Sequence, residues 1–330
     1  MKISVLGCGR WGSFIGWYLQ THGHEVCLYG PEGGEAYTVL AETGKNEYVN
    51  LDKRIFLTCD LSAALDFADT AVISIPSQAL RGFVRKIKET NPAATQKTYI
   101  LCMKGVEVST GDRLSQVMIE AGVKKENIAV WVGPGHIQAF TQGIPNCMVI
   151  DSYSNELKRR LCDEFTSPLI RFYYGEDMIG TELGAAAKNV MGIVAGMLDG
   201  CGYTALKGAL MARGAREVAR LIKAMGGNEL SAYGLAHLGD YEATLFSPYS
   251  HNRAYGEAII SGRIFEKLAE GVPTAKALKG LGEKYKVDLP ITNAVYEICY
   301  EKSEEESGKE RGLQVLERLF SREVKSEFYH

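Results

Sequence analysis

Apolar and polar positions follow two different rhythms along this chain of 330 residues. Short β-rich runs recur at residues 2–6, 25–29, 71–75, 98–102, 128–132, 147–150 and 169–174, with helical spacing between several of them. Alternation of that kind predicts a doubly wound, mostly parallel sheet with right-handed crossovers. Beyond residue 180 the strand signals stop, and helical periodicity takes over at residues 181–200, 205–225, 253–269, 274–285 and 291–302. The chain therefore reads as an α/β unit over residues 1–179 followed by an all-α unit over residues 180–330, with residues 175–180 as the joint. A charged segment, residues 303–311, reads as a solvated linker into a last helix.

The helix at residues 181–200 has an unusual polar face. At about 100° per residue, Thr181, Gly184, Gly192, Ala195 and Asp199 fall within about 40° of Lys188, and Leu183, Ala186, Val190, Ile193 and Met197 face the other way. A merely solvated face carries Glu, Lys, Gln or Arg, because glycine costs about 1 kcal/mol per position against alanine. Two glycines beside Lys188 thus predict a trough that something approaches closely. They single out Lys188 as the residue on which chemistry turns.

At the other end of the chain, the first β-run enters GCGRWG and a helical stretch follows. In this spacing Gly7 permits a tight turn, Gly9 lets the backbone approach a pyrophosphate, and Gly12 lets the helix sit close on its strand. The amides of Arg10, Trp11 and Gly12 then point at phosphates from the positive helix end. With a second strand on schedule, this is a Rossmann-type dinucleotide site. After that strand comes YGPEGG, where Glu32 is the acid placed to read a ribose hydroxyl and no basic residue appears before Lys45. The cofactor expected is NAD(P)H, with NADH favoured, because a 2′-phosphate needs a cationic partner.

Ligands of open α/β sheets lie beyond the carboxyl ends of the strands, so polar groups there carry weight. Residues 74–76 would line the dinucleotide's path, and Lys104 could hold an anionic substrate or orient the nicotinamide. Gly133, Gly135 and His136 follow another strand, with bare amides available to a ligand and a histidine that is either catalytic or structural. In the helical half, residues 234–256 are rich in polar groups and turn formers. Asp240 sits in an irregular stretch there, and Ser250 caps a helix whose first turn is His251, Asn252 and Arg253. A capped helix start with an arginine makes a phosphate site.

Composition narrows the partners. The net charge of -3 and pI near 6.1 supply no basic field for nucleic acid or an anionic membrane, so neither is expected. Eight scattered cysteines without a CxxC pair read as reduced residues of a cytosolic protein, and no ligand cluster for a metal is evident. The N-terminus lacks the long apolar core of a signal peptide.

Taken together, the motifs resemble those of soluble, bacterial-type NAD(P)-dependent glycerol-3-phosphate dehydrogenases over nearly the whole length. GCGRWG, the MKG after a strand, GPGH, ELGAAAKNV, LMARGAREVARL, GLAHLGD, SHNRAYG, GVPTAKAL and DLPITNAVYEICYE fall in the family's order and spacing. The resemblance implies a cytoplasmic oxidoreductase that interconverts dihydroxyacetone phosphate and sn-glycerol 3-phosphate for phospholipid synthesis, possible as a homodimer. It implies that Lys188 is the acid/base, with Lys104 and Asp240 beside it. It further implies that Gly133, Gly135, Ser250, His251 and Asn252 line the substrate, and that Arg10, Trp11, Ile137, Leu268 and Glu270 touch the cofactor, with His251 between the two ligands. This chain departs from the family at His251, where an arginine is usual, at Gly135-His136, and in lacking arginines after the second strand. With His251 at the phosphate, KM for dihydroxyacetone phosphate is expected to rise between about pH 6 and 8. A ketopantoate-reductase-like or other hydroxyacid dehydrogenase would share the glycine turn and a catalytic lysine without needing a phosphate cup. A dinucleotide sensor would have no reason to keep Lys188, Lys104 and Asp240.

Overall fold

The computed structural model describes residues 1–301, 307–323 and 326–327. Eight strands form one sheet: β1 (Lys2–Leu6), β2 (Glu25–Tyr29), β3 (Phe56–Thr58), β4 (Thr70–Ile73), β5 (Thr98–Leu101), β6 (Ile128–Val132), β7 (Asn146–Ser152) and β8 (Ile170–Tyr174). Their order is β3-β2-β1-β4-β5-β6-β7-β8, and the β6–β7 pair is antiparallel while the other neighbours are parallel. Seven helices cover the two faces: α1 (Arg10–Thr21), α2 (Glu35–Thr43), α3 (Leu61–Phe67), α4 (Leu80–Thr90), α5 (Leu114–Glu120), α6 (Ile137–Thr141) and α7 (Asn155–Phe165). The period-2 pattern of β1 explains the layering. Ile3 and Val5 pack with Phe14, Ile15 and Tyr18 of α1, while Leu6 joins Leu61, Leu65 and Leu80 on the opposite face.

Helices make up the second half: α8 (Met178–Cys201), α9 (Lys207–Ala224), α10 (His251–Ile260), α11 (Gly271–Tyr285), α12 (Pro290–Tyr300) and α13 (Gly308–Phe320). Long and central, α8 is buried on nearly every side. The Asp177 carboxylate caps its start by accepting from the Ile179 and Gly180 amides at 3.2 and 3.0 Å, and Gly202 in the left-handed region ends it. Among the described residues no helix is long and apolar enough to cross a membrane.

Three expectations change here. The short edge strand β3 carries too few residues to announce itself by alternation, and Phe56 is exposed. The helix expected over 253–269 begins at His251 and stops at Ile260, because the chain turns at Ser261 and at Gly262, whose φ is 66°. Of the expected linker 303–311, residues 303–306 lie outside the described residues, while Ser307 caps α13 through its hydroxyl on the Glu310 amide at 3.3 Å.

The trough beside Lys188 also has a different explanation. A Cβ on Gly192 would meet Thr244 at 2.9 Å, and one on Gly184 would meet the Cβ of His237 at 2.9 Å. One turn further, a Cβ on Gly196 would lie 1.8 Å from the Arg253 carbonyl oxygen, and one on Gly256 would lie 2.0 Å from that of Ile193. What approaches α8 closely is therefore α10 and the irregular chain before it. This contact fixes the segment that carries the polar residues.

Candidate active site

A cleft of about 420 Å³ opens where the carboxyl ends of β1, β4, β5 and β6 face α8 and the start of α10. Its floor holds two lysines on one carboxylate. Lys104, just beyond β5, donates to Asp240 Oδ2 at 2.6 Å and to the Gly133 carbonyl at 2.9 Å. From α8, Lys188 Nζ stands 3.1 Å from the same Oδ2 and donates to Thr244 Oγ1 at 2.8 Å. Thr244 in turn donates to the Asp240 carbonyl at 2.6 Å, so hydroxyl and carboxylate belong to one folded segment. The Asp240 side chain is only 1% exposed. Burial pushes the Lys188 ammonium down, Asp240 opposes that shift and Lys104 adds to it, and the value settles at about 8.

Beneath this group lies a second polar layer. His237 is fully buried; its Nδ1 lies 2.8 Å from the Gly184 carbonyl and its Nε2 2.7 Å from the Tyr241 hydroxyl. Gly184 is one turn before Lys188, and His237 and Tyr241 flank Asp240. The pair ties the carboxylate's segment to the lysine's turn of helix. Burial drives the His237 imidazole down to about 4, so it serves as a neutral hydrogen-bonding spacer.

The dinucleotide turn borders the same cleft. Gly12 is needed because a Cβ there would sit 1.7 Å from the Gly7 carbonyl oxygen. A Cβ on Gly9 would meet nothing within 4 Å, so the open space a diphosphate requires is present above the turn. Gly9, Arg10 and Trp11 line the cleft, as do Leu268 and Glu270. Glu270 also accepts from the Ser77 amide at 3.1 Å and hydroxyl at 2.7 Å, joining the helical half to the chain after β4. Ile137 is wholly buried in the sheet's core, and Glu32 is exposed beyond β2.

Of the expected substrate residues, Gly135, Ser250, His251 and Asn252 line the cleft with Lys188, Lys104 and Asp240. Gly133 contributes the carbonyl that holds Lys104. Asn252 is also structural: it donates to Asn189 Oδ1 at 3.1 Å and accepts from the Gly271 amide at 2.9 Å. Arg253 departs from its expected place on the phosphate. Its guanidinium donates to Asp199 Oδ2 at 2.6 Å and to the Ser247 carbonyl at 3.2 Å, and it is absent from the cleft wall. The half-buried Asp199, shared with Lys207 at 2.7 Å, holds it there. His251 stays in the cleft, but burial, with Arg10 nearby, pushes its imidazole below the usual histidine value. Its charge is therefore lost at lower pH than the sequence implied.

Thr244, Asn189, His237 and Tyr241 were not singled out from the sequence. Thr244 lies inside the polar run and Asn189 follows Lys188 directly, so position alone could have drawn attention to them.

Comparison with known proteins supplies the context. Two family models match, described as NAD-dependent glycerol-3-phosphate dehydrogenase N-terminus over residues 2–158 and C-terminus over residues 177–308. A glycerol-3-phosphate dehydrogenase [NAD(P)+] from Chlorobium limicola is 35% identical, with 100% of each chain covered. One of the same description from Moorella thermoacetica is 36% identical over 91% of each. Among solved structures, glycerol-3-phosphate dehydrogenase from Coxiella burnetii superposes with a TM-score of 0.88 at 25% identity, covering 97% of this chain and 99% of that one. A ketopantoate reductase from Ralstonia eutropha shares the fold only, at 13% identity and a TM-score of 0.59, with 96% of this chain and 100% of that one covered.

Proposed function

Because the chain belongs to the NAD-dependent glycerol-3-phosphate dehydrogenase family, we propose that its cleft interconverts dihydroxyacetone phosphate and sn-glycerol 3-phosphate with NAD(P)H, in the cytoplasm and toward phospholipid synthesis. The observation that carries this reading is the Lys188–Asp240–Lys104 group at the mouth of the glycine turn. When bound, the reduced nicotinamide supplies the hydride. Lys188, as ammonium, donates a proton to the alkoxide oxygen that develops as the substrate carbonyl is reduced. In the reverse direction the neutral amine takes that proton from the C2 hydroxyl. A lysine at about 8 serves both directions near neutral pH, since either form is accessible at small cost. Asp240 keeps the ammonium from being lost, and Lys104 adds positive charge beside the oxygen.

The division of labour follows the chain. Residues 1–179 form the dinucleotide-binding unit, with Gly7, Gly9, Arg10, Trp11 and Gly12 at the diphosphate and Ile137 buried behind the cleft wall, while Leu268 and Glu270 close over the cofactor from the helical half. Residues 180–330 form the substrate unit, with Ser250, His251 and Asn252 presenting the start of α10 to the phosphate. A homodimer is the proposed assembly. NADH is the preferred cofactor because Glu32 accepts from a ribose hydroxyl and would repel a 2′-phosphate.

Oxidation of reduced cofactor at 340 nm with dihydroxyacetone phosphate tests the reaction; turnover with ketopantoate instead would refute it. In the same assay kcat/KM is expected to be about tenfold or more higher with NADH than with NADPH, about 1.4 kcal/mol. A preference for NADPH would show that Glu32 points away and a distant cation supplies the charge.

A further inference from the structure

The start of α10 offers the substrate phosphate a capped helix end, yet the cations in its own first turn do not serve it. Arg253 is held by Asp199 and Glu257, and burial drives His251 toward its neutral form. A phosphate dianion taken from water into such a cup needs a charged donor in place of its hydration. The neighbouring side chains supply one. Arg10 lines the cleft together with Ser250 and His251, and lines with them a second opening beside Tyr48 and Gln138.

Arg10 is unusually placed for a surface arginine. Its guanidinium lies 5.3 Å from the Tyr48 ring centroid and donates to Gln138 Oε1 at 3.2 Å, two contacts that fix its direction without neutralising it. Among the described residues no carboxylate lies within salt-bridge distance of it. Its Nε is buried and has no hydrogen-bond partner there. Its charge reaches the imidazoles of both His251 and His136, where it adds to the effect of burial. Lys267, the other cation near His251, is exposed.

We infer that Arg10 holds the phosphate of the substrate, reaching from the dinucleotide turn across the cleft to the start of α10. This rests on the reaction proposed above. The turn then addresses two ligands with one residue: its main-chain amide faces the cofactor diphosphate and its guanidinium faces the substrate's phosphate monoester. Binding of the substrate thus draws the two halves of the molecule onto a shared anion.

Replacing Arg10 by Gln tests this. The ratio of kcat/KM for dihydroxyacetone phosphate to that for unphosphorylated dihydroxyacetone should fall about 10- to 100-fold, the scale of one lost charge-assisted hydrogen bond. The loss should lie in KM, while the dissociation constant of NADH, followed by nucleotide fluorescence, stays within about threefold. Adding His251→Arg to that variant should restore at least about tenfold of the ratio, since a cation returns to the same cup from the other side. An unchanged ratio overturns the inference whether or not NADH binding weakens, and weakened NADH binding with an unchanged ratio assigns Arg10 to the cofactor diphosphate. Wild-type protein inactive on dihydroxyacetone phosphate would instead overturn the proposed reaction.

Discussion

At one end of the cleft, Lys188, Lys104, Asp240 and Thr244 are tied to one another at distances of 2.6 to 3.1 Å, with His237 and Tyr241 bracing them from below. At the other end, Arg10 has a buried Nε without a partner among the described residues, as does His136 at Nε2. Leaving such an atom unpaired costs about 1–3 kcal/mol. The difference follows from the two tasks. Proton transfer needs a charge whose affinity for its proton is set before the substrate arrives, and only fixed protein partners can set it. Anion binding needs donors that are held in place but not yet satisfied, because internal pairing would compete with the ligand. Arg253 shows the alternative outcome: paired with Asp199, it braces α10 and leaves the phosphate to others.

The largest effect should come from breaking the paired end. Lys188→Ala should lower kcat by about 10²–10⁴ and leave cofactor binding within a few-fold, as expected for loss of a general acid. Turnover close to that of the wild type would remove Lys188 from the mechanism.

A smaller effect is expected at the open end. His251 loses its proton below the ordinary histidine value, so KM for dihydroxyacetone phosphate should rise as pH climbs through the region below about 6.5, and His251→Arg should flatten that rise. The effect should be about tenfold at most, because only one charge is exchanged. Comparing the two proteins at each pH cancels the substrate's own ionisation. Parallel profiles would show that His251 does not meet the phosphate.

The contrast also marks how far the residues could be read in order. Local features were legible: the strand, glycine turn and helix at residues 2–21, and the small residues that make Lys188 unlike a solvated lysine. Lys104 and Asp240 were recognisable from their places after a strand and within a polar run. Pairings between distant segments were not. Arg253 looks free in SHNRAYG, and what neutralises it is Asp199, which belongs to another helix. Gly184 and Gly192 announce a close approach, yet whether a ligand or a neighbouring segment makes it depends on how α10 packs on α8. Arg10 reads as part of the dinucleotide turn, and its nearness to His251 exists only once both halves are folded.

The proposed mechanism makes Lys188 a proton donor whose affinity is lowered by burial and held up by Asp240. Its most direct test is kcat/KM for reduction of dihydroxyacetone phosphate from pH 7 to 10, a range above the titrations of His251 and the phosphate. It should fall through about 8, and that fall should shift to lower pH in Asp240→Asn, because the charge that favours the ammonium is gone. A wild-type profile that stays level through this range, or a fall that moves upward in Asp240→Asn, would contradict it.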